Sequence, residues 1–136
     1  MKIKLFSNAD SVKLNSFITP WSYIHLLTGG MLYLYLKYIF KNISIIKSFI
    51  IIIIIHTIYE IIDLLYYFEI TDSSTKIFNI HCGDNSLVNS IGDTLFAIIG
   101  FFIAILIKEI NTYFLAFLTF IYLITIFIFK KYIELN

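Results

Sequence analysis

Long apolar runs alternate with short polar breaks along the chain, and the runs share a common length. Four windows carry about the 20 predominantly apolar residues that cross the hydrocarbon core of a bilayer: Pro20–Phe40, Ser48–Phe68, Ser86–Ile107 and Tyr113–Phe129. Thr19 is placed to cap the first, with Pro20 at the first helical position and Trp21 at interface depth. The fourth holds no formal charge. The connections "KNISIIK" and "KEINT" are short enough to make the first and second helices, and the third and fourth, antiparallel neighbours. The one long connection is "EITDSSTKIFNIHCGDN", Glu69 to Asn85. The pattern predicts an all-α membrane protein, a bundle of four transmembrane helices forming a single integral membrane domain over residues 1–136, with no internal repeat and no soluble second domain.

Composition agrees. Of 136 residues, 60% are hydrophobic and 14% charged, against about 25% charged in soluble domains. A chain this small cannot hide that much apolar surface in its own core, so the expected partner is the lipid bilayer. Net charge is +1 and all ten basic residues are lysines, which points away from nucleic acid and removes the bidentate guanidinium grip on phosphate. The lone cysteine, Cys82, excludes an internal disulfide. The start, "MKIKLFSNADSVKLN", has no apolar core long enough for a cleavable signal, so the first span is expected to direct insertion. Four spans place both termini and the Glu69–Asn85 loop on one face. That face carries six lysines (Lys2, Lys4, Lys13, Lys76, Lys130, Lys131) against four on the other, which predicts cytoplasmic termini.

The apolar runs are interrupted by groups that lipid penalises. In "FIIIIIIHTIYEIIDLLYYF" (Phe49 to Phe68), His56, Tyr59, Glu60 and Asp63 fall at helical spacing on one face. A central acid costs about 2.5–3.5 kcal/mol on the insertion scale, while each isoleucine contributes about −0.3 to −0.6. The nine isoleucines of that span therefore roughly offset Glu60 and Asp63. Asn89, Gly92, Asp93 and Gly100 form a similar stripe in the third span, and His25 sits with Thr28 and Gly29 in the first. At 1.5 Å per residue, His25, Glu60, Asp63 and Asp93 lie about 8–12 Å inside helix ends on the same side of the membrane, with His56 deeper.

Carboxylates at such depth cannot all stay charged without a counter-ion, and no lysine shares their level. Histidine pairing, proton sharing or a divalent cation would each supply the balance. The candidate polar site is His25, Glu60, Asp63, Asn89 and Asp93, with His56, Tyr59, Asp84 and Ser86 as secondary members. His25, Glu60 and Asp93 make a chemically reasonable mixed nitrogen and oxygen ligand set for a metal. A structural reading stands beside the functional one. Polar side chains also join membrane helices without chemistry, and Asp84 or Ser86 reads equally as the cap of the third helix after a turn at Gly83. Gly29, Gly30, Gly92 and Gly100 read as sites of close helix packing.

Three segments carry a resemblance: "HLLTGG" (His25 to Gly30), "YEIID" (Tyr59 to Asp63) and "GDNSLVNSIGDTLFAIIGFF" (Gly83 to Phe102). Together they resemble a family of small uncharacterised bacterial polytopic membrane proteins. Its signature is a GDS run followed, after two residues, by NS and, after two more, by D. The order of histidine, then glutamate, then aspartate or asparagine with glycine in successive helices is similar to the wider VanZ-like group. The resemblance covers about residues 20–105 and implies that His25, Glu60, Asp63, Gly83, Asp84, Ser86, Asn89, Ser90 and Asp93 occupy motif positions. "GDNS" departs from the signature by an insertion or a substitution, and the basic residue that VanZ-like proteins tend to carry after the glutamate is absent. The resemblance supplies no substrate.

Two functions are compatible with these residues. One is a multi-pass membrane protein of VanZ-like type whose buried His/Glu/Asp site binds a cation or a lipid head group, with a lipid-linked small molecule as partner. The alternative is a structural or accessory protein acting through helix–helix assembly, as a homo-oligomer or with another chain. Proton or ion movement along His56 ranks third, since four spans leave little room for a pore. No nucleophile motif, phosphate loop, dinucleotide fingerprint or zinc-protease helix is present.

Overall fold

A computed structural model of the chain describes residues 4–6, 16–72 and 87–135. Its elements are two short strands, β1 (Lys4–Phe6) and β2 (Ser16–Ile18), and four helices, α1 (Pro20–Ile39), α2 (Ile45–Asp72), α3 (Leu87–Ile105) and α4 (Thr112–Leu135). Three helices are long and apolar enough to cross a membrane, through Ile45–Ile62, Leu87–Ile105 and Thr112–Phe129. α1 has the length, at 20 residues, but its serine, histidine, threonine, lysine and four tyrosines dilute the apolar run.

Helix ends follow local side chains. Ser44 accepts the Lys47 backbone N–H at 3.2 Å and so starts α2 inside what the sequence offered as a loop. No proline or glycine interrupts residues 45–72, and the helix runs to Asp72. Asn111 likewise accepts the Phe114 N–H at 2.9 Å at the start of α4. The strands are an addition to the all-helical expectation. They pair in parallel, with Lys4 opposite Ser16 and Phe6 opposite Ile18.

The tightest interface joins α1 to α3 and is made by missing side chains. A Cβ on Gly29 would run into the Ala97 carbonyl, and one on Gly100 into the Leu26 carbonyl. At Gly92 the backbone of β2 closes in, with the Phe17 carbonyl where a Cβ would stand. Small residues let helix backbones approach in this way, and van der Waals contact replaces the hydrophobic drive that lipid does not provide. The apolar core lies toward one end of the bundle: Tyr33 and Leu34 of α1, Ile52 of α2, Phe101 and Ala104 of α3, and Leu115 of α4. Tyr33 meets Phe101 edge to face, with ring centroids 5.1 Å apart. The opposite half holds the buried polar groups apart from Ser48.

α4 is attached differently. Within Thr112–Phe129 only Leu115 is buried. Beside the packing of Leu115 in the core, α4 is joined to α1 by three hydroxyl bridges: Thr28 with Tyr122 at 2.7 Å, Tyr35 with Thr119 at 2.6 Å and Tyr38 with Thr112 at 2.8 Å.

Gly100→Ala should force the α1 and α3 backbones apart. The expected loss of stability is about 1–3 kcal/mol, the usual cost of overpacking, read as a lower unfolding midpoint in detergent. Gly30→Ala should cost less, because a methyl there meets the Gly100 carbonyl at 3.1 Å and the neighbour has only to give slightly. Equal midpoints for parent and Gly100→Ala would contradict this interface.

Candidate functional site

The polar half is assembled from the first turns of α1 and α3 and the middle of α2. It begins at the α1 cap, where the Ser22 hydroxyl accepts the Thr19 backbone N–H at 3.1 Å and donates its own proton to Asp93 Oδ1 of α3 in a short hydrogen bond. Asp93 is 3% exposed, and its place beside the first turn of α1 sets a carboxylate near the positive end of that helix. Asn89, one turn earlier on α3, donates to Thr19 Oγ1 at 3.4 Å. The glycine contacts one turn further along α1 fix this spacing.

His25 sits one turn after Ser22 and forms the hub. Its Nε2 lies 3.5 Å from Asp93 Oδ2. Its Nδ1 faces α2, at 2.9 Å from His56 Nε2 and 3.4 Å from Glu60 Oε1. His56 and Glu60 are one helical turn apart and 3.6 Å from each other, so both reach the same imidazole nitrogen. His56 is 2% exposed and Glu60 7%. The far side of His56 is also held: Thr94 Oγ1 of α3 lies 3.4 Å from His56 Nδ1.

These outer contacts decide where the ring protons sit. The Thr94 hydroxyl spends its proton on the Ser90 carbonyl at 2.7 Å, which leaves its oxygen to accept from His56 Nδ1–H. Asp93 Oδ2, 3.5 Å from His25 Nε2, is placed to favour the proton on that nitrogen. On that assignment the nitrogen of each ring facing the other ring is bare; the alternative is a proton held between the two across their 2.9 Å contact. Two nitrogen lone pairs and a carboxylate oxygen converge on one point, from His25, His56 and Glu60. Such a convergence is repulsive unless a proton or a cation stands at its centre.

The distances are compatible with a small cation as well as with a shared proton. Ligand atoms in a tetrahedral zinc site with bonds of about 2.0–2.1 Å stand roughly 3.3 Å apart. The three edges here are 2.9, 3.4 and 3.6 Å, and a point equidistant from all three atoms lies about 2 Å from each, within bonding reach of zinc. Histidines that bind metal commonly give their other N–H to a carboxylate or another oxygen, which is the part played by Asp93 and Thr94.

Of the three residues that the sequence offered as ligands, His25 and Glu60 stand in this group. Asp93 stands behind His25 instead of beside the point of convergence, and His56, expected deeper in the membrane, takes the third place. Helix α2 makes this possible because His56 and Glu60 occupy successive turns of one face. Asn89 holds the α1 cap, and the ring of Tyr59, more than half exposed, has its centroid 5.8 Å from that of His25. Asp63 continues α2 beyond Glu60, and its side chain lies outside the described residues, as do Asp84 and Ser86. Ser22 and Thr94 were not singled out in the sequence. Their signal was present in the spacing of Ser22 to His25 and of Ser90 to Thr94, one turn each.

The chain matches, over residues 2–136, the family described as "Protein of unknown function (DUF2585)", and it belongs to that family. No curated protein and no solved structure matches it.

The tautomers are directly measurable. With zinc supplied, in protein labelled with nitrogen-15 histidine and reconstituted in lipid, His25 should carry its proton on Nε2 and His56 on Nδ1. Thr94→Val should remove the preference of His56 and leave that of His25. An Nδ1-protonated His25 would contradict the arrangement.

Proposed function

We propose that this member of the family is a multi-pass integral membrane protein that binds a single divalent transition-metal ion through His25 Nδ1, His56 Nε2 and Glu60 Oε1. The observation that carries the reading is the convergence of these three atoms from two helices, with the opposite nitrogen of each ring held by an oxygen of α3. Two imidazoles with one carboxylate suit zinc and its neighbours better than calcium or magnesium, which prefer all-oxygen shells. Three protein ligands leave a fourth position for water or substrate, the pattern of catalytic rather than structural zinc. A cavity of about 280 Å³ opens beside Glu60, between α2 and α3, where such a position would be reached.

In this reading α1 is the fourth span. Its 20 residues extend about 30 Å, the thickness of the hydrocarbon core, and its polar groups are sheltered against α3. The excess of lysine on the side of the termini supports cytoplasmic ends. The order of histidine, glutamate and aspartate in successive helices, now with their side chains gathered, supports kinship with the VanZ-like group and a role in lipid-linked processes of the membrane or envelope.

Purified without chelator and supplied with zinc, the parent should retain one ion per chain by elemental analysis. Glu60→Gln and His56→Ala should retain under about a tenth of that, and Thr94→Val should weaken binding about 10–100-fold by loosening the ring of His56. Occupancy should fall as pH is lowered, since each imidazole must shed its proton to bind. Parent-like zinc in both Glu60→Gln and His56→Ala would defeat the proposal.

A further inference from the structure

The cavity between α2 and α3 has a direction. Its mouth is formed by Ile61 of α2 and by Leu87, Ile91 and Leu95 of α3, all of them exposed on the outer surface of the helices, by between 44% and 69%. Beneath that rim Glu60 is buried and Ser90 and Thr94 are half-buried, the few polar groups in a mainly apolar lining. Both helices are long and apolar enough to cross a membrane, so the mouth faces the space that acyl chains fill. A gradient from aliphatic rim to these polar groups is the shape of an amphiphile entering tail outward and head inward. The volume of about 280 Å³ is at the lower end of ligand pockets, enough for one head and the start of one chain.

Charge selects the head. Glu60 and Asp93 together carry two negative charges when ionised, which a divalent ion at the His25–His56–Glu60 group would neutralise. Among the described residues no lysine or arginine lines the cavity, so an anionic head would enter a low-dielectric space uncompensated, at high cost. A neutral head meets no such penalty and finds hydroxyl partners. The Ser90 hydroxyl is buried with no hydrogen-bond partner among the described residues, and Thr57 adds a second hydroxyl to the lining.

We infer that the α2–α3 cleft admits a neutral, single-tailed lipid with a hydroxyl-bearing head from the bilayer, and presents that head to Glu60 and Ser90. The inference rests on the reading of the adjoining group as a metal site, which supplies the charge balance.

The test uses the full chain, zinc-loaded, in phosphatidylcholine vesicles carrying a photoactivatable monoacylglycerol or the photoactivatable free fatty acid of the same tail. The monoacylglycerol should label the segments around Ile61, Ile91 and Leu95 at least about tenfold more than the acid, which carries the uncompensated charge. Ile91→Trp and Leu95→Trp, which narrow the mouth, should each abolish that labelling with zinc content unchanged. Equal labelling by the two probes, labelling elsewhere, or full labelling of both variants would overturn the inference. Zinc content separates the two failures. A zinc-loaded protein with an unlabelled cleft overturns the lipid inference alone. Labelling that persists in a protein unable to hold zinc supports entry of the lipid and removes the metal reading, together with the charge argument for a neutral head.

Discussion

The contact of α1 with α3 at bare backbone governs the rest of the structure. Where Gly29 meets Ala97 and Gly100 meets Leu26, no side chain separates the two helices, and the spacing of everything nearby is set by that approach. One turn toward the start of α1, the same spacing brings Ser22 and His25 within reach of Asp93. One turn toward its end, it lets Tyr33 pack its ring on Phe101. The polar and apolar halves of the bundle are thus two readings of one interface. A larger residue at Gly100 would disturb both together, because the helices can separate only as rigid rods.

Within the polar half, charge and desolvation constrain the chemistry more than packing does. Each ionisable group is answered by a partner on another helix: Asp93 by Ser22 and His25, His25 by His56 and Glu60, His56 by Thr94. Buried polar groups that fail to find partners cost several kcal/mol each in lipid. The network spreads over three helices, since one helix face carries too few donors and acceptors to satisfy its own histidines and acids.

Much of this was legible in the sequence. Helix number and rough position follow from the length of the apolar runs, and the polar faces follow from the 3.6-residue period that aligns His56 with Glu60 and Asn89 with Asp93. The glycines announced their own role. Three things were not legible. Ser44 and Asn111 cap helices from within the connections, so the windows began too late for α2 and close to correctly for α4. Depth along a straight helix said nothing of where one helix slides past another, and His56 consequently stood as a deeper, secondary member of the site. The choice between Asp93 and His56 as neighbour of the bare His25 nitrogen depends on which way an imidazole ring turns, and no residue spacing records that. Ser22 and Thr94 were overlooked for a related reason: hydroxyls in apolar helices usually bond their own backbone, as Thr28 and Thr125 do here, and only the tertiary arrangement shows which ones also reach a neighbour.

The partnership of α1 with α3 also bears on biogenesis. In chain order α1 is synthesised before the surface it fits, and α2 emerges between them. During that interval His56 and Glu60 have only His25 to turn to, while Asp93 and Thr94 are still being synthesised. The six consecutive isoleucines of α2, residues 50–55, supply the hydrophobicity that keeps this segment from slipping back into water before its companions appear. The polar centre, which takes Asp93 and Thr94 from α3, is therefore complete only once the last of its three helices has been made.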